Sequence, residues 1–266
     1  MEQRGCDCLG SDSEVRLCLR NGTGAEWRRL SRRDRLPSLA SLRLRQVGDV
    51  IRKVMIWDAP TRLFHWLAAV LVAAAYATWR LNWMDWHARA GYALLTLVVF
   101  RLLWGGFGSE TARFSRFIAS PRAAARHLMR LFRREPDRQV GHNPAGGWMV
   151  LLLLALLLGE TLTGLYVNND VADVGPLTEL VPAPVANLIS ALHDILWQAL
   201  AAAVALHILI VLVYWAVKRH NLVLPMITGR KLLPPDIRPP LLVGWPRALL
   251  LFACSTLIAA ALVNFL

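Results

Sequence analysis

The chain has 266 residues, 56% of them hydrophobic and 18% charged, with a net charge of +12 and a mean hydropathy of +0.41. So much apolar sequence, gathered in long runs, excludes an ordinary soluble domain and argues for a membrane protein. The positive charge lies between those runs, with no separate basic domain or binding motif, which excludes nucleic acid as the partner.

Residues 1–53 are polar and Arg-rich, and they hold Cys6, Cys8 and Cys18. They contain no secretory apolar core. Two readings stay open for this basic extension: a start assigned too early, with translation beginning near Val50 to Met55, or a disordered cytoplasmic tail. No Cys-x-x-Cys-His occurs anywhere, so there is no covalent c-type haem attachment, and the cysteine spacing does not resemble a zinc site.

Five apolar runs follow, at about Leu63–Leu81, Ala88–Phe107, Gly147–Tyr166, Leu192–Lys218 and Leu241–Leu266. Each approaches the roughly 20 residues that a membrane helix needs. The expected fold is therefore all-α: an integral membrane bundle with a four-helix core over 54–235, then a Pro-rich linker and a fifth transmembrane helix over 236–266. The connection between spans two and three carries Arg113, Arg116, Arg122, Arg126, Arg130, Arg133, Arg134 and Arg138, whereas the loop between spans three and four has Asp170, Asp173 and Glu179 and no Lys or Arg. Basic loops stay in the cytoplasm. This orients the chain in a bacterial inner membrane with its N-terminus inside, its C-terminus outside and the acidic loop in the periplasm. Within the basic loop, SPRAAARHLMRLFRR predicts a short amphipathic helix capped by Ser120, with Pro121 in its first turn and Leu128, Leu131 and Phe132 on its apolar side.

Four of the seven histidines sit in the spans. His65 opens span one at the cytoplasmic end, and His87 opens span two at the periplasmic end. His193 begins span four on the periplasmic side, and His207 lies deeper, toward the cytoplasm. The fourteen residues between His193 and His207 turn a helix within roughly 40° of a whole number of turns and rise about 21 Å. Both imidazoles thus share a face, one near each side of the hydrocarbon core. Topology pairs His65 with His207 and His87 with His193. Ionisable side chains inside a membrane are costly and usually meet a partner or cofactor. Two pairs at two depths match two non-covalent b-type haems, each with an imidazole on either side of its iron. Metal transport fits less well, because most of the bilayer separates the pairs. His127, His142 and His220 fall in cytoplasmic loops, where solvation is expected.

The stretches WDAPTRLFHW (57–66), His87 with ARAGY, GHNPAGGWMVLLLLALLL (141–158), LTG (162–164) and KRHNLVLPMITGRK (218–231) resemble the bacterial cytochrome b561 family. That family includes the cytochrome b subunits of nickel-iron hydrogenases and the formate dehydrogenase membrane subunit. The resemblance covers about 54–235. It implies a four-helix bundle that binds two b haems and passes electrons between a quinone pool and a redox partner. His65 and His207 would hold the cytoplasmic haem, and His87 and His193 the periplasmic one. Implied partners are membrane lipid, quinone, and a c-type cytochrome or a hydrogenase or dehydrogenase electron-transfer subunit; a homodimer stays open.

Other residues admit both a functional and a structural reading. Arg62, three before His65 and so on its face, suits a haem propionate or a membrane anchor. Arg89 and Arg80 at the periplasmic rim suit the other haem's propionates. Glu160 suits proton handling, an acceptor behind a ligand histidine, or an ion pair with Arg80. Asn143 offers an amide to a quinone carbonyl, or a helix cap. Gly91, Gly159 and Gly164 leave room for a porphyrin or for close helix packing. The rival functions are a stand-alone quinone-linked oxidoreductase acting on a small oxidant such as superoxide and, from another class, a non-redox membrane anchor or permease.

Overall fold

The structure is a computed structural model that describes residues 16–21, 24–29, 52–130, 139–168 and 175–264. The chain divides into two compact units, Met1–Val50 and Ile51–Leu266. In the first, strands β1 (Arg16–Asn21) and β2 (Gly24–Arg29) pair antiparallel, Arg16 opposite Arg29.

The second unit is helical, and among its described residues five helices are long and apolar enough to cross a membrane. Span one, α1 (Ala59–Arg80), starts where the Asp58 carboxylate accepts the Thr61 N–H at 2.7 Å and Pro60 occupies the first turn, where no N–H is needed. Asn82, at φ 58°, reverses the chain into span two, α2 (Met84–Phe107). Span three, α5 (Pro144–Thr163), is capped by Asn143, which accepts the Gly146 N–H at 2.7 Å. It closes in a 3-10 turn over Gly164–Tyr166. Span four, α6, runs Ala183–Ala216, and span five, α8, runs Trp245–Asn264.

Span four differs from expectation. It begins at Ala183, so His193 lies well inside the helix rather than at its start. Its 34 residues extend roughly 50 Å, more than the hydrocarbon core requires. The apolar run marks only the stretch in lipid; the preceding turns, with Asn187 and Ser190, are too polar to register in it. Span two is the packing hub. Half of its apolar window is buried, against 11–17% in the others, and it packs against spans one, three and five. The others turn large apolar side chains outward, among them Val70, Leu188, Leu209 and Leu257. In water such faces would be anomalous; in lipid they are the outer surface.

At one end of the bundle the polypeptide ties itself together. Strand β3 (Arg52–Met55) pairs antiparallel with β4 (Arg230–Leu233). The Gly229 carbonyl accepts the N–H groups of Ile56 and Trp57 at 2.8 and 3.2 Å. Gly229 has φ 77°, and a Cβ there would stand 2.7 Å from the Trp57 carbonyl oxygen, so only glycine fits. Thus two stretches of the family resemblance, 57–66 and 218–231, are one interlocked structure. The short helices are α3 (Phe114–Phe117), α4 (Pro121–Met129) and α7 (Val223–Thr228). Ser120 caps α4, accepting the Ala123 N–H. Leu131, Phe132, Arg133, Arg134 and Arg138 lie outside the described residues, as do Asp170 and Asp173.

Candidate haem sites

His65 and His207 face each other near the end where β3 and β4 pair, ring centres 6.3 Å apart and planes at 59°. An imidazole nitrogen sits about 2 Å from a bound metal and roughly 1.1 Å from its own ring centre, so two imidazoles on one metal have centres roughly 6 Å apart. The pair has the spacing that an iron between them requires. Span one is aimed by its docking to the opposite segment: Arg62 donates to the Ile227 carbonyl at 2.5 Å and the Trp66 indole to the Met226 carbonyl at 3.2 Å. The Nδ1 of His65 is shielded from water and has no partner.

Toward the other end, His87 and His193 lie close enough for their charges to interact. The Nδ1 of His87 is 2.9 Å from the Ala75 carbonyl oxygen of span one. Donation there puts the proton on Nδ1 and leaves Nε2 as the lone-pair nitrogen, the tautomer a metal ligand needs. The Nδ1 of His193 lies 3.0 Å from the Thr163 hydroxyl, and its Nε2 lies 3.4 Å from Glu160 Oε1.

Between the two levels the bundle is apolar. Leu200, midway between His193 and His207, packs with Val98, Leu157, Val72, Trp197 and Val204. Close backbone packing of span four is against span three, where a Cβ on Gly159 would touch Leu196 at 3.1 Å. Side chains bridge it to span one, including Tyr76 stacked on Trp197 at 5.3 Å. Gly91, one turn past His87, has nothing within 4 Å of where a Cβ would stand.

The family profile described as prokaryotic cytochrome b561 matches residues 56–229 of the 266. The chain belongs to that family. No curated protein and no solved structure matches it. Membership makes it a bacterial multi-pass membrane cytochrome with a haem b electron-transfer role.

In this cytochrome the remaining expected residues fall in varied places. Arg62 lies at the His65–His207 end, with Nε shielded and without an acceptor. Arg89 is exposed, with Cζ 4.8 Å from the Trp86 ring centre, and Arg80 lies over Trp79. Glu160 meets His193 rather than Arg80. Asn143 caps span three with its oxygen and donates its amide to the Tyr214 hydroxyl at 3.0 Å.

The three histidines expected in solvent, His127, His142 and His220, are all half-buried, and two of them have partners that the sequence did not suggest. His127 hydrogen-bonds the same Tyr214 hydroxyl at 2.6 Å. His142 packs against Trp57 and Phe117, 4.7 Å from each ring centre. Withdrawal of its nitrogen from water, then the nearby charges of Arg101, His207 and His65, holds His142 at about 3. Loop position suggested solvation; the aromatic residues flanking it, Trp57 and Phe117, supply the burial.

Sequence reasoning also passed over Arg101, a fully buried guanidinium in span two. It stands fourteen residues after His87, the spacing already singled out in span four, and that was the signal available for it.

Proposed function

We propose that this protein carries electrons across the membrane between a quinone on the cytoplasmic side and a redox partner on the periplasmic side, through two b haems. His65 and His207 ligate one, His87 and His193 the other. When bound, the haems supply one-electron cycling of iron between its ferric and ferrous states. The observation that carries the reading is the pairing by depth, with the His65–His207 spacing of 6.3 Å fitting one iron.

The polypeptide holds the imidazoles on rigid helices, fixes the His87 tautomer through Ala75, and keeps water from the midplane with the Leu200 layer. The haem-carrying part is 54–235, with 236–266 an added helix, and the N-terminus lies in the cytoplasm as the basic loops direct.

The quinone is placed by us near Asn143, where Tyr214, His127 and the Asn143 cap gather hydroxyl, imidazole and amide at the end of the bundle that holds His65 and His207. The partner is a c-type cytochrome, or a dehydrogenase or hydrogenase subunit, steered by the acidic loop of Asp170, Asp173 and the exposed Glu179.

The test is the dithionite-reduced spectrum of purified protein with a haem-to-chain ratio. The expectation is a b-type α band and two haems per chain. A protein without haem, or with one, breaks the reading. For the partner, neutralising Asp170, Asp173 and Glu179 is expected to flatten the salt dependence of reduction; an unchanged dependence removes the steering.

A further inference from the structure

Span two repeats the spacing of span four. His87 and Arg101 are fourteen residues apart, as are His193 and His207. Alternating spans cross in opposite senses, so spans two and four run the same way. On each, the second residue faces nearly as the first does, about 21 Å further along. With His87 and His193 at one level, Arg101 falls at the depth of His207. Span four carries an imidazole there and span two a guanidinium.

Arg101 is 2% exposed. Its Cζ lies 5.1 Å from the Phe114 ring centre, and its Nη1 is shielded without any acceptor. Asp58, the carboxylate in its field, is already engaged by the Thr61 N–H at 2.7 Å and the Trp104 indole at 3.1 Å. Among the described residues no ion pair joins Asp58 to Arg101. A buried cation without an anion is strongly unfavourable, more so within a membrane. Arg62 Nε and His142 Nδ1, at the same end, are likewise shielded and unpartnered. Several orphaned nitrogens at one end of the bundle point to an anion that the polypeptide does not itself supply.

We propose that Arg101 holds a propionate carboxylate of the haem at the His65–His207 level, with Arg62 as a second cation. This rests on the ligand assignment above. Arg101 is then a positioning residue: it orients the ring through its edge, and its charge favours the reduced iron, raising that haem's potential.

The experiment is a redox titration of the purified two-haem protein with resonance Raman of the propionate bending mode. Arg101→Gln is expected to lower the midpoint of the haem that His207→Ala removes. At the wild-type midpoint the reduced-to-oxidised ratio of that haem falls about tenfold, equivalent to about 59 mV for one electron. Its propionate mode shifts, and the other haem keeps its midpoint. Arg101→Lys keeps the charge but loses the planar fork, so it holds the midpoint closer to wild type while still moving the propionate mode. If Arg101→Gln does not accumulate, Arg101→Lys decides through that mode. Wild-type midpoints and an unmoved mode overturn the proposal, as does an equal shift of both haems, the mark of general loosening. A His207→Ala protein that keeps both haems overturns the ligand assignment instead.

Discussion

At the end of the bundle that holds His65 and His207, the surroundings are cationic: Arg62, Arg101 and the buried Lys218 are nearby, and Asp58 is tied to Thr61 and Trp104. At the end that holds His87 and His193, the charge acting on His193 is acidic, that of its neighbour Asp194, with the Glu160 carboxyl group 3.4 Å away. The same ligand chemistry thus sits in opposite fields. A cation favours the ferrous state and a carboxylate the ferric one. The haem at the His65–His207 level is therefore expected to have the higher potential, which makes transfer toward that end of the bundle the downhill direction.

Removing a ligand tests that contrast most severely. His207→Ala and His193→Ala should each reduce the haem-to-chain ratio from two to one, and the haem that survives in His193→Ala should be the one with the higher potential. Survival of the lower one would reverse the electrostatic argument.

A milder change acts on the histidine support. Thr163→Val removes the hydroxyl 3.0 Å from His193 Nδ1. Loss of such a supporting bond costs about 10–100-fold in metal affinity. The His87–His193 haem should exchange into apomyoglobin faster by that factor, while the other haem does not. Equal loss from both levels would mean that Thr163 supports the bundle rather than the imidazole.

Much of this was legible in the sequence, for physical reasons. The spans and the histidine spacing are local: apolar runs and a period of 3.6 residues need no knowledge of neighbours. The Ser120 and Asn143 caps are local too, because a side-chain oxygen meets an N–H three residues on. What was hidden depends on distant segments. His142 looked like a solvated loop residue because its burial is set by Trp57, some eighty positions away, and by Phe117. Glu160 looked available to Arg80, yet Arg80 stacks on Trp79 and Glu160 faces span four. Span two looked like one span among five, since its central position follows only from how the others surround it.

The weakest expected effect lies where the linker to span five is clipped to the end of span two. The Ser109 hydroxyl accepts the Val243 N–H at 2.9 Å, and Glu110 binds Leu241 twice, donating its own N–H at 2.9 Å and accepting the Leu241 N–H on its carboxylate at 3.0 Å. That accepted bond, helped by Arg116, Arg238 and Arg113, holds the Glu110 carboxyl below its usual 4.5. Around that pH the unfolded chain binds more protons than the folded one, so stability rises with pH there. The contribution is complete above about 4.5 and disappears as pH falls through the folded value. Glu110→Gln should therefore melt below wild type at pH 7, measured by loss of the haem absorption band, and the two proteins should converge as the pH drops. Salt at 1 M, where charges are screened within about 3 Å, should narrow the gap as well, because Arg116 lies 3.8 Å away on an exposed side chain. Equal melting at pH 7 would mean that the clip is held by the Leu241 backbone bond and Ser109 alone, and that the cationic end of the bundle does not depend on this carboxylate.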